Sequence, residues 1–467
     1  MRLIGSFAVV PWLAVAACGS DVSLGGPNTL VRVDHVVDGP DCPAGGAAIH
    51  TGLDADGDTF LDDDEIESTQ FVCNGSIDVA CAGGKVLEGT IAVRQAADWA
   101  QLDGVNCIDG ELLIAGIASD SIPRRADLRT ITGDLVIAGN AELTSLDGLD
   151  QLRELGGTYV IQGNDALRDL SALSGLMRAA SIQIVGNDAL TTLTGLESLV
   201  DVDTSILISN NAGLTSLAGL DNLRTMTATL EIRANHALTS VAALANLRQA
   251  QLLELSGNDA LTAIAFDNLQ KIDVRLLVTS NSALADVALP MLTTVGDFAR
   301  FDNNPRLTKI AMPELLTIGS TQVSNNTSLV ELSAPSLVFA TAAIQLTNLP
   351  ALTAIHYDRL TSIGDTLVLG NLPTLPNLAG FAHVESIGGA FSLSVAGSLV
   401  DFSGLDALTS VLGALTITNN AVLRGFTGLH LTKVGGNLTI TNNPMLAKPT
   451  SQAFAQQLQV GGTTTIN

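Results

Sequence analysis

A chain of 467 residues with a formal net charge of −25 has room for a large core, and it is a poor partner for nucleic acid or for an anionic membrane surface. Only 15% of its residues are charged and 3% aromatic, which suits a narrow core filled with Leu, Ile, Val and Ala. Beyond the N-terminal segment no apolar run reaches the length of a membrane-spanning helix.

Residues 1–18 run from a basic start through an apolar stretch to small residues, the pattern of an export signal, and are set aside from the fold. Val15-Ala16-Ala17-Cys18 resembles the bacterial lipobox. That resemblance implies that Cys18 carries lipid and becomes the mature N-terminus. Gly19 follows, with no Asp beside the Cys, which resembles outer-membrane sorting. Residues 19–41, with Gly25-Gly26-Pro27, read as a flexible tether.

Four cysteines remain once Cys18 is set aside, and they form two local pairs. The expected bridges are Cys42–Cys73 and Cys81–Cys107, in an oxidising compartment, each stabilising by roughly 2–4 kcal/mol. A thiolate metal site is disfavoured, because the chain has no Cys-x-x-Cys and no His at ligand spacing.

Residues 42–78 are expected to form a small disulfide-closed module with the clearest chemistry in the chain. Asp54, Asp56 and Asp58 fall at the first, third and fifth positions of a twelve-residue acidic loop. Phe60 would offer its carbonyl at the seventh, Asp62 a carboxylate at the ninth, and Glu65 two oxygens at the twelfth. A hard dication needs this many oxygens, and calcium is the expected ion. Without a cation these carboxylates would repel one another. The loop resembles EF-hand-like and dockerin-like loops. It departs from them in having Thr59 where Gly is usual and no convincing entering helix. The wider segment is similar to small modules near the N-termini of exported bacterial proteins, a likeness that implies no activity.

Residues 81–467 read as mainly β: a right-handed parallel β-solenoid of leucine-rich coils of about 23–24 residues with helical caps. Gln95 to Leu102 is helix-like, with Trp99 and Leu102 able to cover the open core, and Glu111 to Ile114 is the first clear strand. From Leu135 the chain repeats apolar-x-apolar-x-x-Asn followed by Leu-x-x-Leu, with Asn at 140, 164, 187, 211, 235, 258, 281, 304, 326, 420 and 443. Period-two alternation turns Leu135 and Ile137 to one side and Val136 and Ala138 to the other. The Asn residues are expected to close each strand and stack as a structural ladder. Asn348 and Asn371 sit one residue early and Ala396 replaces an Asn, so the coils from Leu349 to Ser398 read as drifting in register and looser. Thr450 to Gln459 is expected to be a short helix capped by Thr450 or Ser451. With the last strand, Gly461 to Ile466, it would close the solenoid. Cys81, Cys107 and the repeated Gly-x-Leu-x-Ile-x-x-Asn with its Leu-x-x-Leu resemble the receptor L-domain family of leucine-rich β-solenoids. The resemblance spans nearly all of 81–467 and implies protein or glycan partners; it does not fix the function.

Coils stacked at about 4.8 Å would make a rod of about 70 Å. Its outward strand positions form a polar, hydroxyl-rich face that includes Glu231, Arg233, Glu254, Arg300, Asp302, Gln322, Gln345, Thr416, Thr418, Thr439 and Thr441. This is the expected binding face, and Glu231, Arg233 and Glu254 are its charged cluster. His236, His356, His383 and His430 occupy different offsets and should not stack into a site. With no nucleophilic triad or phosphate loop, no catalysis is expected. The expectation is a lipid-anchored envelope protein, at the outer membrane or cell surface, that binds an unidentified protein or glycan. A purely structural role, or a polysaccharide-degrading β-solenoid, is the alternative.

Overall fold

The structure is a computed structural model. It describes residues 29–36, 46–53 and 66–73 as strands, residue 81, and residues 84–467 apart from 126. The chain divides into two compact units, 1–76 and 77–467.

The first unit contains an antiparallel sheet of β1 (Thr29–Val36), β2 (Gly46–Leu53) and β3 (Ile66–Cys73) in that order. Thr29 pairs with Leu53 and Gly46 with Cys73. This corrects the boundary drawn from sequence, because residues 29–36 of the expected tether are a strand. Leu30, Val31, Val33 and Val36 have strong strand propensity, which the neighbouring Gly25-Gly26-Pro27 concealed.

The second unit is a parallel β-solenoid of about 16 turns. Its main ladder starts at Ile91–Val93 and ends at Thr464–Ile466, and each end strand pairs only inward. In one coil Leu135, Ile137, Leu143, Leu146, Leu149, Leu152 and Leu155 are all at most 1% exposed. A single coil could not hide so many apolar groups. Coils above and below complete the shielding, at about 1.5–3 kcal/mol per buried side chain. Register keeps like on like: Leu112, Leu135, Tyr159, Ile182 and Ile206 fall in one row. The recurrent glycine ahead of the strand has a steric cause. A Cβ on Gly364, Gly388 or Gly435 would lie 2.1 Å from a backbone oxygen of the preceding coil.

The Asn ladder is present. Asn140, Asn164, Asn187, Asn211, Asn235, Asn258, Asn281, Asn304 and Asn326 are 0% exposed. From Asn140 to Asn304 each backbone N–H donates to the side-chain oxygen of the next Asn, as Asn164 does to Asn187 at 3.1 Å. Each Nδ2 donates to a strand carbonyl of the preceding coil, as Asn164 does to Ile137 at 2.9 Å. The expected register drift is corrected here. Thr347, Gly370, Ser394 and Thr418 stay in one unbroken row. Leu349, Leu372 and Ala396 simply occupy the buried ladder position. Asn348 and Asn371 belong to a different row, one residue earlier, where the backbone is left-handed (φ 55° and 54°).

A second parallel ladder, from Ala263–Ala265 to Ala354–His356, exists only in the middle coils. At the flanking coils short 3₁₀ turns, Ala242–Leu244 and Ala379–Phe381, lie before and after it. At the N-terminal end Ala96–Leu102 is a 3₁₀ segment burying Trp99 and Leu102, with the Arg125 guanidinium 5.4 Å over the Trp99 ring. The Cys81–Cys107 bridge is formed. At the other end α1 (Lys448–Gln456) begins earlier than expected. Ala447 is its N-cap, without a side-chain cap bond, and Pro449 stands in its first turn. Phe454 stacks on Phe426 at 3.9 Å, and Phe426 on Phe402 at 5.9 Å.

Candidate functional site

Register fixes which strand residues share the outward face, and the face is not uniform. Its first zone is largely apolar: Leu113, Val136, Val160, Val185 and Leu207 are half-buried outward residues, interrupted by Gln162 and Gln183. Reading only polar positions in the sequence passed these over. The second zone is charged. Arg233 Nη2 lies 2.8 Å from Glu231 and 2.7 Å from Glu254, so one guanidinium serves two carboxylates. Ser256 Oγ also donates to Glu254, at 2.8 Å. Arg300 lies 3.8 Å from Asp302, which also accepts from Ser324 Oγ at 2.7 Å and Asn325 Nδ2 at 3.0 Å. These predicted charged residues are spent on one another.

The third zone covers six successive rungs and carries no charge. One row runs Gln322, Gln345, Val368, Ser392, Thr416, Thr439, and its neighbour Ser324, Thr347, Gly370, Ser394, Thr418, Thr441. Beside them stands the left-handed row Asn325, Asn348, Asn371, Val395, Asn419, Asn442. The next two residues of every coil, from Thr327-Ser328 to Pro444-Met445, are uncharged as well. Asn371 Nδ2 donates to Asn348 at 3.1 Å, Asn348 to Asn325 at 2.9 Å, and Asn325 to Asp302. A carboxylate therefore polarises one end of an amide row. The sequence signal for this row was present: the residue before each ladder position is Gly or Asn in most coils, the types that tolerate positive φ.

Threonine hydroxyls divide by location. On the coil corners they are used internally: Thr361, Thr409 and Thr432 donate to carbonyls of the preceding coil at 3.1–3.2 Å. On the outward face the hydroxyls of Ser392, Ser394, Thr416, Thr418, Thr439 and Thr441 take no partner among the described residues. They are half-buried, in register, and open to an external ligand.

Residues 28–73 match a family described only as a domain of unknown function (DUF7151). No curated protein matches the chain. The match coincides with the three-stranded sheet, β1 to β3, and leaves the solenoid unassigned.

The predicted calcium residues Asp54, Asp56, Asp58, Phe60, Asp62 and Glu65 lie outside the described residues, as do Cys18 and Cys42 and therefore the Cys42–Cys73 pairing. What is described is their frame: Leu53 ends β2, Ile66 begins β3, and Gly52 pairs with Ile66. Among the described residues no helix is long and apolar enough to cross a membrane.

His236 joins a chain that sequence reading missed. Its Nδ1 is 2.7 Å from Asp259, whose other oxygen accepts from Ser282. The three stand at one offset in successive coils. Ser282 bonds to the carboxylate and not to the imidazole, so the order is wrong for a nucleophile. The Ser282 hydrogen bond, opposed by partial burial and aided by His236, holds the Asp259 carboxyl below its ordinary range. Asp98 is also held low, chiefly by the Arg94 backbone N–H. Both move opposite to the direction a general acid requires. A cavity of about 170 Å³ lies where the second ladder ends, lined by Ile355, His356, Asp358, Asn377 and Phe381 among others. His356 is 3.9 Å from Asp358 there.

Proposed function

We propose that this chain is an exported, lipid-anchored envelope protein whose solenoid is a non-catalytic recognition surface, with calcium held in the N-terminal module. The observation that carries the reading is the uncharged face of unspent hydroxyls from Ser392 to Thr441. Corner threonines bond within the fold, whereas these hydroxyls are left open, which supports a role in contact with a partner. The likeness of the repeats to receptor L-domains agrees with binding rather than turnover. Lipid attachment rests on Val15-Ala16-Ala17-Cys18, and export on the signal that precedes it and on the Cys81–Cys107 bridge.

Calcium would be held by Asp54, Asp56, Asp58, the Phe60 carbonyl, Asp62 and Glu65. Support comes from the β2–β3 pairing, which brings the two ends of this twelve-residue connection together. The ion would supply charge neutralisation and order, not chemistry.

The test is a pull-down from envelope extract with the wild-type protein and with T416A/T418A/T439A/T441A, run with and without chelator. The expected result is a retained component that the variant loses. Identical retention by both proteins refutes a recognition role for this face. Radiolabelled palmitate should enter the wild type and not Cys18→Ser; equal labelling refutes the anchor.

A further inference from the structure

We infer that the uncharged zone takes an extended, uncharged polysaccharide laid along the solenoid axis. This deepens the recognition reading above and rests on it. Charge is the first argument. The chain carries −25 overall, yet six rungs of its outward face and the adjoining corner carry none. An anionic glycan would need Arg or Lys there, and a cationic one would be drawn to carboxylates. A neutral polyol needs neither.

Chemistry is the second argument. Hydroxyls and carboxamides each donate and accept, which is what a polyol presents in return. Thr416, Thr418, Thr439 and Thr441 have no internal partner among the described residues, so engaging them breaks no bond of the fold. Geometry is the third. Rungs repeat at about 4.8 Å, so a chain laid along the axis would meet the hydroxyls of Ser392, Thr416 and Thr439 in register, while the Val368 and Gly370 rung offers none. Five such steps span about 24 Å, enough for a run of several rings. The described cavity lies on another part of the coil, at His356 and Phe381, so the uncharged face suits a flat ligand rather than an enclosed one. The three rows contain no aromatic residue and no Arg, so a ligand here would be held by hydrogen bonds rather than by ring stacking or ion pairs.

The experiment is cosedimentation of the full mature protein with insoluble cellulose, curdlan and linear β-mannan, with alginate gel as the acidic control. The expected result is retention on at least one neutral polymer and none on alginate, unchanged between about 0.05 and 0.5 M salt because no ion pair is involved. T416A/T418A/T439A/T441A should bind at least tenfold more weakly, and the matching Thr→Ser variant should keep most of the affinity. Val136→Thr, in the apolar zone, should bind as wild type. Failure to bind any neutral polymer, retention that salt abolishes, or an undiminished alanine variant overturns the inference. If the neutral polymers fail while the alanine variant still loses an envelope protein, the recognition reading survives and the polysaccharide does not. If both fail, both fall.

Discussion

Asn187 shows how a single side chain binds coils together. Its oxygen accepts the Asn164 N–H at 3.1 Å, and its Nδ2 donates to the Ile161 carbonyl at 3.0 Å. Asn187→Ala would orphan both buried groups, each costing about 1–3 kcal/mol, so the solenoid should lose roughly 2–6 kcal/mol in denaturant unfolding. Leu372→Ala removes no such bond, and a purely apolar loss there would separate ladder from packing. The ladder was legible because its period is strict. The row beside it was read as register drift: Asn348 and Asn371 were seen one residue early, and their positive φ, shared with Asn325, Asn419 and Asn442, shows them to be a row of their own. At Asp259 the sign of a pH effect follows from its depressed pKa. Its stabilisation is present above the unfolded pKa and fades as pH falls through the folded one. Removing the largest cause with Ser282→Ala should raise the Asp259 midpoint toward the ordinary range, as read by carboxyl-carbon NMR. An unmoved midpoint would mean that the Ser282 bond does not hold the carboxyl.

At the scale of elements, the ends are the vulnerable places, since each presents an open core. Cys81–Cys107 ties the first coil across a separation of 26 residues, beside buried Trp99 and Leu102. Cys107→Ala should cost about 2–4 kcal/mol, and added reductant should then have no further effect on the solenoid transition. A variant that melts with the wild type would show that the bridge is redundant with the cap. Both caps were readable from local pattern, although α1 begins at Lys448 rather than after Thr450. Pro449 is compatible with a first helical turn, and that favourable position was overlooked. The second ladder, Ala263–Ala265 to Ala354–His356, was not readable, because three-residue strands leave too short an alternation to tell from a turn. The apolar zone of the main face was hidden for another reason. Alternation already sets Val136 opposite Leu135 and Ile137, but the outward face was read from its polar positions, and register is what lines Leu113, Val136 and Val160 up as one row.

For the whole molecule, the division after Ser76 makes separate unfolding the physical expectation. The solenoid buries apolar rows along about 16 turns. The first unit has three strands among its described residues and a short chain, and units of that size usually need a disulfide or a metal. Calcium at about 10 mM, against a dissociation constant on the order of 0.1–1 mM, would stabilise the unit that binds it by about 1.4–2.7 kcal/mol. Calorimetry of the full chain should therefore show calcium raising one transition and leaving the larger solenoid transition in place. Chelator should reverse the shift, and Asp58→Asn or Glu65→Gln should abolish it while the larger transition stays put. A calcium-dependent solenoid transition would mean that the ion acts on the second unit. No shift in either would remove calcium from the account, and the hydroxylated face would then stand without it.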